Sequence, residues 1–196
     1  MLKDLILKNR SYRRFYEDVP IPGEKLKEFI DMARLSASAR NAQSMRYIIS
    51  NDPEMNKKIF PMLAWAGYLK DWPGPVEGER PAAYIIMLND TCVSVNYFCD
   101  DGIAAQSILL CAVENGYGGC MIASVPREEM AKLFNLDVRY KIVLVIALGK
   151  PKEKVVIEKL EKDGDFKYWR DEQQVHHVPK RALEDIILEV FEKSGQ

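Results

Sequence analysis

GIAAQSILLCAVEN, residues 102–115, is the stretch whose reading decides the fold. Wound as a helix, it carries Ile103, Ala104, Ala105, Ile108, Leu109, Leu110, Cys111, Ala112 and Val113 around nearly its whole circumference. A surface helix keeps a polar face, whereas one that is apolar almost all round belongs inside the molecule. Spanning a bilayer would take roughly 20 apolar residues, and this run falls short of that. The chain is therefore organised around one buried helix, which Gly116-Tyr117-Gly118-Gly119 brings to an end.

Short apolar runs lie on both sides of it. Ala82 to Leu88 and Ile142 to Leu148 are almost unbroken and predict buried strands; Arg46–Ser50 and Cys120–Ile122 predict two more. Helical spacing marks Leu2, Leu5 and Ile6, then Leu26, Phe29, Ile30 and Ala33, and a small helix over Pro126–Leu133. Pro53 opens another, holding Met55, Ile59, Met62, Leu63 and Ala66. If that helix continues, Trp65, Tyr68, Leu69 and Trp72 share one of its faces, either as core or as an aromatic lid over a planar ligand. A last helix is predicted from about Arg181 to Lys193. The length of 196 residues suits one domain spanning 1–196. Helices and strands are interspersed without a repeat, so the class is α+β or α/β with one mixed sheet.

Composition excludes several functions. A net charge of −1 provides no basic field for nucleic acid. Cys92, Cys99, Cys111 and Cys120 lack C-x-x-C spacing, and His176 and His177, adjacent on a strand, would face opposite ways, so no metal site is predicted. The start, Met1-Leu2-Lys3-Asp4, has no apolar signal core, and no stretch is long enough to cross a membrane, which predicts a cytoplasmic protein with reduced thiols. The Gly116-x-Gly118-Gly119 run is not a dinucleotide fingerprint, because it follows a helix and has Met121 where the third glycine belongs. Neither a phosphate-binding G-x-x-x-x-G-K-[ST] loop nor a G-x-S-x-G nucleophile elbow is present.

Three polar constellations remain. In Asn9-Arg10-Ser11-Tyr12-Arg13-Arg14-Phe15, guanidinium forks suited to phosphate or carboxylate crowd around a hydroxyl. In extended chain Ser11 and Arg13 share one side, Tyr12 and Arg14 the other. Ser38 to Gln43 is small and amide-rich, and Asn41 and Gln43 offer both donors and acceptors to a flat polar ligand. Val178-Pro179-Lys180-Arg181, at the start of the predicted last helix, places two cations against the helix dipole, where an anion could relieve them. Taken singly, each can also be an ordinary solvated surface.

In order along the chain, these features resemble the nitroreductase family of flavin enzymes. The family's R-R-S-x-R-x-F motif stands here as Asn9 to Phe15, followed by the turn Val19-Pro20-Ile21-Pro22. Its P/S-S/A-x-N-x-Q-P-W motif corresponds to Ala37 to Met45. The helix opening Asp101 to Gln106 with its Gly-rich end, the exit Ala147-Leu148-Gly149-Lys150-Pro151, and Lys180-Arg181-x-Leu183-Glu184 complete the match.

The resemblance implies an α+β fold with a central mixed, mainly antiparallel sheet flanked by helices, and an intertwined homodimer with two FMN sites in the interface. It implies that Arg10, Ser11 and Arg13 hold the FMN phosphate and ribityl chain, with Lys180 and Arg181 closing on the phosphate. Ser38, Arg40 and Asn41 would reach the flavin from the partner subunit, and the backbone of Ala123 and Ser124 would lie beside flavin N5. Trp65, Tyr68 and Trp72 are candidates for shaping the substrate pocket. The implied activity is NAD(P)H oxidation by an alternating reaction, with hydride passed to an electron-poor acceptor such as a nitroaromatic or quinone and no protein nucleophile. Other reactions of the family, reductive dehalogenation or ring oxidation, and FMN binding without turnover stay open. Three departures stand out: Asn9 for the frequent first arginine, Ser44-Met45 for Pro-Trp, and Ala123-Ser124 for a Gly-rich or Glu-Gly pair.

Overall fold

The computed structural model of the chain describes residues 1–192, which divide into two compact units, the first Met1–Lys152 and the second beginning at Glu153. The first unit opens with helix α1 (Leu2–Lys8), strand β1 (Phe15–Tyr16) and helix α2 (Gly23–Leu35). Strand β2 (Met45–Ser50) and helix α3 (Pro53–Ile59) follow, then strand β3 (Ala83–Asp90) and helix α4 (Asp100–Glu114). Strand β4 (Gly118–Ile122), helix α5 (Arg127–Leu133) and strand β5 (Tyr140–Pro151) close the unit. The second unit contains strands β6 (Val155–Lys159), β7 (Trp169–Arg170) and β8 (His176–Lys180).

β3 is buried at every position and lies between β2 and β5, antiparallel to both. The far edge of β5 carries β4 along Val145–Gly149 and then β1 at Lys150–Pro151, again antiparallel. Both faces of this sheet are covered, which is why β3 and β5 read as continuous apolar runs. Ile85, Met87, Leu144 and Ile146 pack with α2 and α4, while Tyr84, Ile86, Val145 and Ala147 pack with Ile59, Trp65 and Met130 on the other face. Pairing slips between Met87 and Leu88, so Val143 is the extra residue of a β-bulge. Consequently Val143 and Leu144, though adjacent, join the same core cluster.

α4 buries Ala104, Ala105, Ile108, Leu109, Cys111 and Ala112 against the sheet. One stripe stays uncovered: Ile103 and Gln106 are exposed, and Leu110 and Val113 are half-buried. The central helix that the sequence predicts is thus a core helix, with one seam left open.

Three further elements differ from the sequence reading. α3 stops at Ile59, with a 3-10 turn to Met62, because Pro61 has no N–H to continue the ladder and Leu63 is extended. Trp65, Tyr68 and Trp72 consequently share no helical face: Trp65 is buried in the second core cluster, Trp72 packs half-buried against it, and Tyr68 is exposed. The glycine run does two jobs. Gly116 has a positive φ of 78° and ends α4, whereas Gly118 and Gly119 already belong to β4. The predicted last helix does not form over 181–192, where there is only a turn around Leu183–Ile186; Lys193 lies outside the described residues. A segment this short has little helical stability in water unless its apolar face is packed, and Leu183, Ile186, Leu188 and Phe191 are all exposed.

In the second unit β8 pairs parallel with β6 and antiparallel with β7. Among the described residues, no helix is long and apolar enough to cross a membrane.

Candidate functional site

The arginine stretch is fixed at Asn9, Ser11, Tyr12 and Arg14. Asn9 is buried and its Nδ2 donates to Gln106 Oε1 on α4 at 3.2 Å. Ser11 forms an isolated parallel bridge with Gly119 of β4, and Tyr12 N donates to Gly119 O at 3.0 Å. The Tyr12 ring lies on Gly118, where an added Cβ would come within 2.6 Å of it, and its hydroxyl donates to Lys8 O at 2.9 Å. Arg14 donates from Nε and Nη2 to Glu79 at 2.5 and 2.7 Å. Hydrogen bonds from Arg14, outweighing the cost of burial and joined by Lys152, hold the Glu79 carboxyl down at about 2. Tyr12 and Arg14 are thereby committed to the protein.

The other side of the stretch is differently placed. Ser11 is exposed, and Arg13 is buried beside it with Nη1 on Ser11 O at 3.1 Å. Arg10 donates through Nη2 to Ile6 O at 2.7 Å, while its Nε is buried with no hydrogen-bond partner among the described residues. A buried guanidinium N–H without an acceptor is costly unless something else supplies one.

The Ser38 segment is strained. Arg40, Asn41 and Gln43 have φ of 55°, 53° and 52°, the left-handed region that side chains with a Cβ disfavour by roughly 1–2 kcal/mol. Asparagine tolerates it; arginine and glutamine do so less readily. Ser38 Oγ donates to Asp100 Oδ2 at 2.6 Å, Ala39 N donates to Asp100 Oδ1 at 2.9 Å, and Gln43 N donates to Ser38 Oγ at 2.9 Å. The Arg40 guanidinium lies 5.6 Å from the ring of Phe98. A cleft beside the segment is lined by Ser36, Gln43, Tyr47 and Asp100, and burial, aided by the charge of Asp100, pushes the Tyr47 hydroxyl up to about 12.

Ala123 and Ser124 leave β4 as exposed residues. The Ser124 carbonyl accepts from Ala64 N at 3.3 Å. Arg127 reaches the Ala123 carbonyl at 3.3 Å and also donates to the carbonyls of Ile142 and Val143 at 3.1 and 3.2 Å. The bulge at Val143 thus meets a guanidinium that also fixes the β4 exit. Lys180 ends β8 and Arg181 follows it; both are exposed and lie in the second unit. On the same strand His177 bridges Glu158 and Asp171, with Nε2 3.1 Å from Asp171 Oδ2, and stacks on Trp169 at 4.0 Å. Its neighbour His176 is buried beside Tyr168. Among the described residues, no group of three His, Cys, Asp or Glu side chains could hold a metal.

Sequence reasoning missed Gln106, Asp100, Glu79 and Arg127. Each acts on a partner remote in sequence, except Arg127 on Ala123, so spacing held no signal for them. α4 carries two of the four: Asp100 holds the Ser38 segment and, about 9 Å along the helix at 1.5 Å per residue, Gln106 holds Asn9 at the head of the arginine stretch.

Comparison with known proteins bears on what this arrangement is for. The model of the nitroreductase family matches residues 6–84 and 95–150. The Bacillus subtilis protein YodC, described as a candidate NAD(P)H nitroreductase, is 24% identical over 177 residues, covering 75% of this chain and 88% of YodC. A Methanothermobacter thermautotrophicus protein, described as a candidate NADH dehydrogenase/NAD(P)H nitroreductase, is 28% identical over 153 residues, or 75% of this chain and 76% of its own length. The structure of the Vibrio harveyi NADPH:FMN oxidoreductase complexed with NAD+ superimposes with a TM-score of 0.62 at 23% identity, covering 77% of this chain and 69% of that one. That last likeness is one of fold.

Proposed function

The chain belongs to the nitroreductase family, and from that premise we propose that it is an FMN-dependent NAD(P)H oxidoreductase acting on an electron-poor acceptor such as a nitroaromatic or quinone. Bound FMN would supply the redox chemistry, taking hydride from the nicotinamide and giving it to the acceptor in alternation. The residues present fit that group. The observation that carries the reading is the buried Arg10 Nε without a hydrogen-bond partner among the described residues, in the same short stretch as the exposed Ser11 and the arginine Arg13. This is the donor set a phosphate requires.

The chain's own part is binding and orientation. Arg10, Ser11 and Arg13 would grip the phosphate end and ribityl chain. Ser38, Arg40 and Asn41 would orient the ring system of the partner subunit's cofactor, and the backbone of Ala123 and Ser124 would lie beside flavin N5. Tyr68 and Trp72 would offer exposed and half-buried aromatic surface to a bound planar substrate, while Trp65 lies in the core. Holding donor and acceptor parallel in turn is the main catalytic contribution of the protein.

The working unit in this proposal is an intertwined homodimer in the cytoplasm. The open seam of α4 and the exposed apolar residues from Leu183 to Phe191 support the dimer, since a second copy would remove that surface from water. All four cysteines are free, which suits a reducing compartment. The test is the absorption spectrum of the purified protein. A flavin band that bleaches when NADH or NADPH is added without oxygen supports the reading. Protein that binds no FMN, or whose bound FMN neither nicotinamide reduces, refutes it.

A further inference from the structure

The described residues include seven non-glycine residues with positive φ: Arg40, Asn41, Gln43, Ala66, Phe98, Asn135 and Gln174. Four of these fall in two segments that meet. Arg40, Asn41 and Gln43 lie in the Ser38 segment, Phe98 lies two residues before Asp100, and the Arg40 guanidinium sits over the Phe98 ring. Such conformations persist only where the surroundings over-determine them, and they gather at sites that hold ligands.

Local sequence does not hold the Ser38 segment; a carboxylate 62 residues away does. Asp100 is buried and spends both oxygens on this segment, Oδ2 accepting from the Ser38 hydroxyl and Oδ1 from the Ala39 amide. Ser38 Oγ, oriented by that donation, in turn accepts from the Gln43 amide. The relay Asp100, Ser38, Gln43 thus closes the two ends of the loop that contains Arg40 and Asn41. It has a fixed sense. Ser38 must give its one hydroxyl proton to Asp100, which leaves its lone pairs for Gln43. The first turn of α4 favours the negative charge that this requires.

We infer that Asp100 is a positioning residue: it holds Ser38 to Gln43 in the strained conformation that presents Arg40 and Asn41. Its consequence for cofactor affinity rests on the proposed contact of Ser38, Arg40 and Asn41 with the flavin. Asparagine at this position keeps an acceptor for Ala39 N but replaces the acceptor for Ser38 with a donor. Alanine removes both.

The test uses Asp100→Ala, Asp100→Asn, Ser38→Ala, Arg40→Ala and Asn41→Ala in the full chain. Amide hydrogen exchange of residues 39–43 is measured in the FMN-free protein, and the FMN dissociation constant by fluorescence titration. We expect exchange at Ala39 and Gln43 to rise at least tenfold in D100A and less in D100N, and the dissociation constant to rise at least tenfold in D100A with partial recovery in D100N. The S38A/D100A double variant should bind FMN no worse than D100A, because both act through one relay. Exchange at Ala39 and Gln43 that is unchanged in D100A overturns the inference. So does FMN binding that weakens in R40A or N41A yet is unchanged in both Asp100 variants. If exchange rises in the Asp100 variants while none of the five changes alters the dissociation constant, Asp100 positions the loop and the proposed flavin contact is what fails. Should D100A not fold, the D100N measurements decide on the same terms.

Discussion

Arg14 and Glu79 meet fork to fork, with Nε and Nη2 donating to Oε2 and Oε1 at 2.5 and 2.7 Å, and Lys152 Nζ adds a third contact to Oε1 at 3.0 Å. Phe15 N also donates to Glu79 O at 3.0 Å, so one residue fixes both the backbone and a side chain of the arginine stretch. Folding lowers the Glu79 carboxyl from 4.5 to about 2. A depressed folded-state value means stability that is fully present above pH 4.5 and is lost as pH falls through about 2. The lowering corresponds to at most about 3 kcal/mol. Urea midpoints of wild type and Glu79→Gln across that window test this: wild type should lose stability steeply and E79Q should lose less. Equal slopes would place the acid sensitivity elsewhere.

The same pairing separates Arg14 from its neighbours. Arg13→Ala should weaken FMN binding by the worth of a charge-assisted hydrogen bond, about 1.5–3 kcal/mol, or roughly ten- to a hundredfold. Arg14→Ala should lower the unfolding midpoint and leave the affinity of the folded protein nearly unchanged. Titrating FMN into both variants decides it, and the reverse pattern would mean that Arg14 faces the phosphate.

Sequence patterning located β2, β3, β4 and β5, α2 and α4, because sheets and core helices bury long apolar runs and those runs are local. It failed where structure depends on remote partners. The bulge at Val143 is a register shift between β3 and β5 and leaves no compositional mark. Val155–Lys159 and His176–Lys180 become strands by pairing with each other, though both are half-exposed and carry charge. In the candidate site, the guanidiniums and the Ser38 loop were visible as residue types. The groups that aim them, Glu79, Asp100 and Gln106, were not. A left-handed Arg40 could not be read from its own preference, which opposes it.

Gly118 should tolerate no side chain. A Cβ there would come within 2.6 Å of the Tyr12 ring and 2.8 Å of Pro151 Cγ. Gly118→Ala is expected to cost about 1–3 kcal/mol through overpacking. It should also weaken FMN binding, because Tyr12 lies between Ser11 and Arg13 and must move. Thermal midpoints and FMN titration of G118A together check this; a stable variant with unaltered affinity would show that Tyr12 does not fix the stretch.

His177 should make the second unit less stable at alkaline pH. Burial opposes its charge, but hydrogen bonds to Asp171 and Glu158 outweigh that and raise its pKa above 6.5. Both ring nitrogens face carboxylates, which suits the doubly protonated ring. A raised folded-state value gives stability that is complete below pH 6.5 and is lost as pH rises through the folded pKa. The imidazole resonances in an NMR titration should report a value above 6.5 for His177. It should move down in both Glu158→Gln and Asp171→Asn, whereas a midpoint indifferent to both would remove the clamp.

The exposed tail predicts the assembly. Leu188 is 98% exposed and Phe191 89%. Fully burying a Leu or Phe is worth about 1.5–3 kcal/mol, so a partner that covers several such residues gains enough to offset the entropy of association. The wild-type chain should therefore sediment as a dimer at micromolar concentration. Leu188→Glu combined with Phe191→Glu should weaken the dimer at least tenfold, since charge is costly in an apolar seam. Because Ser38, Arg40 and Asn41 are proposed to serve the partner's cofactor, FMN affinity should fall in step with dimer dissociation across a dilution series. Monomeric wild type at micromolar concentration, or FMN affinity independent of the monomer–dimer equilibrium, would show that each chain completes its site alone.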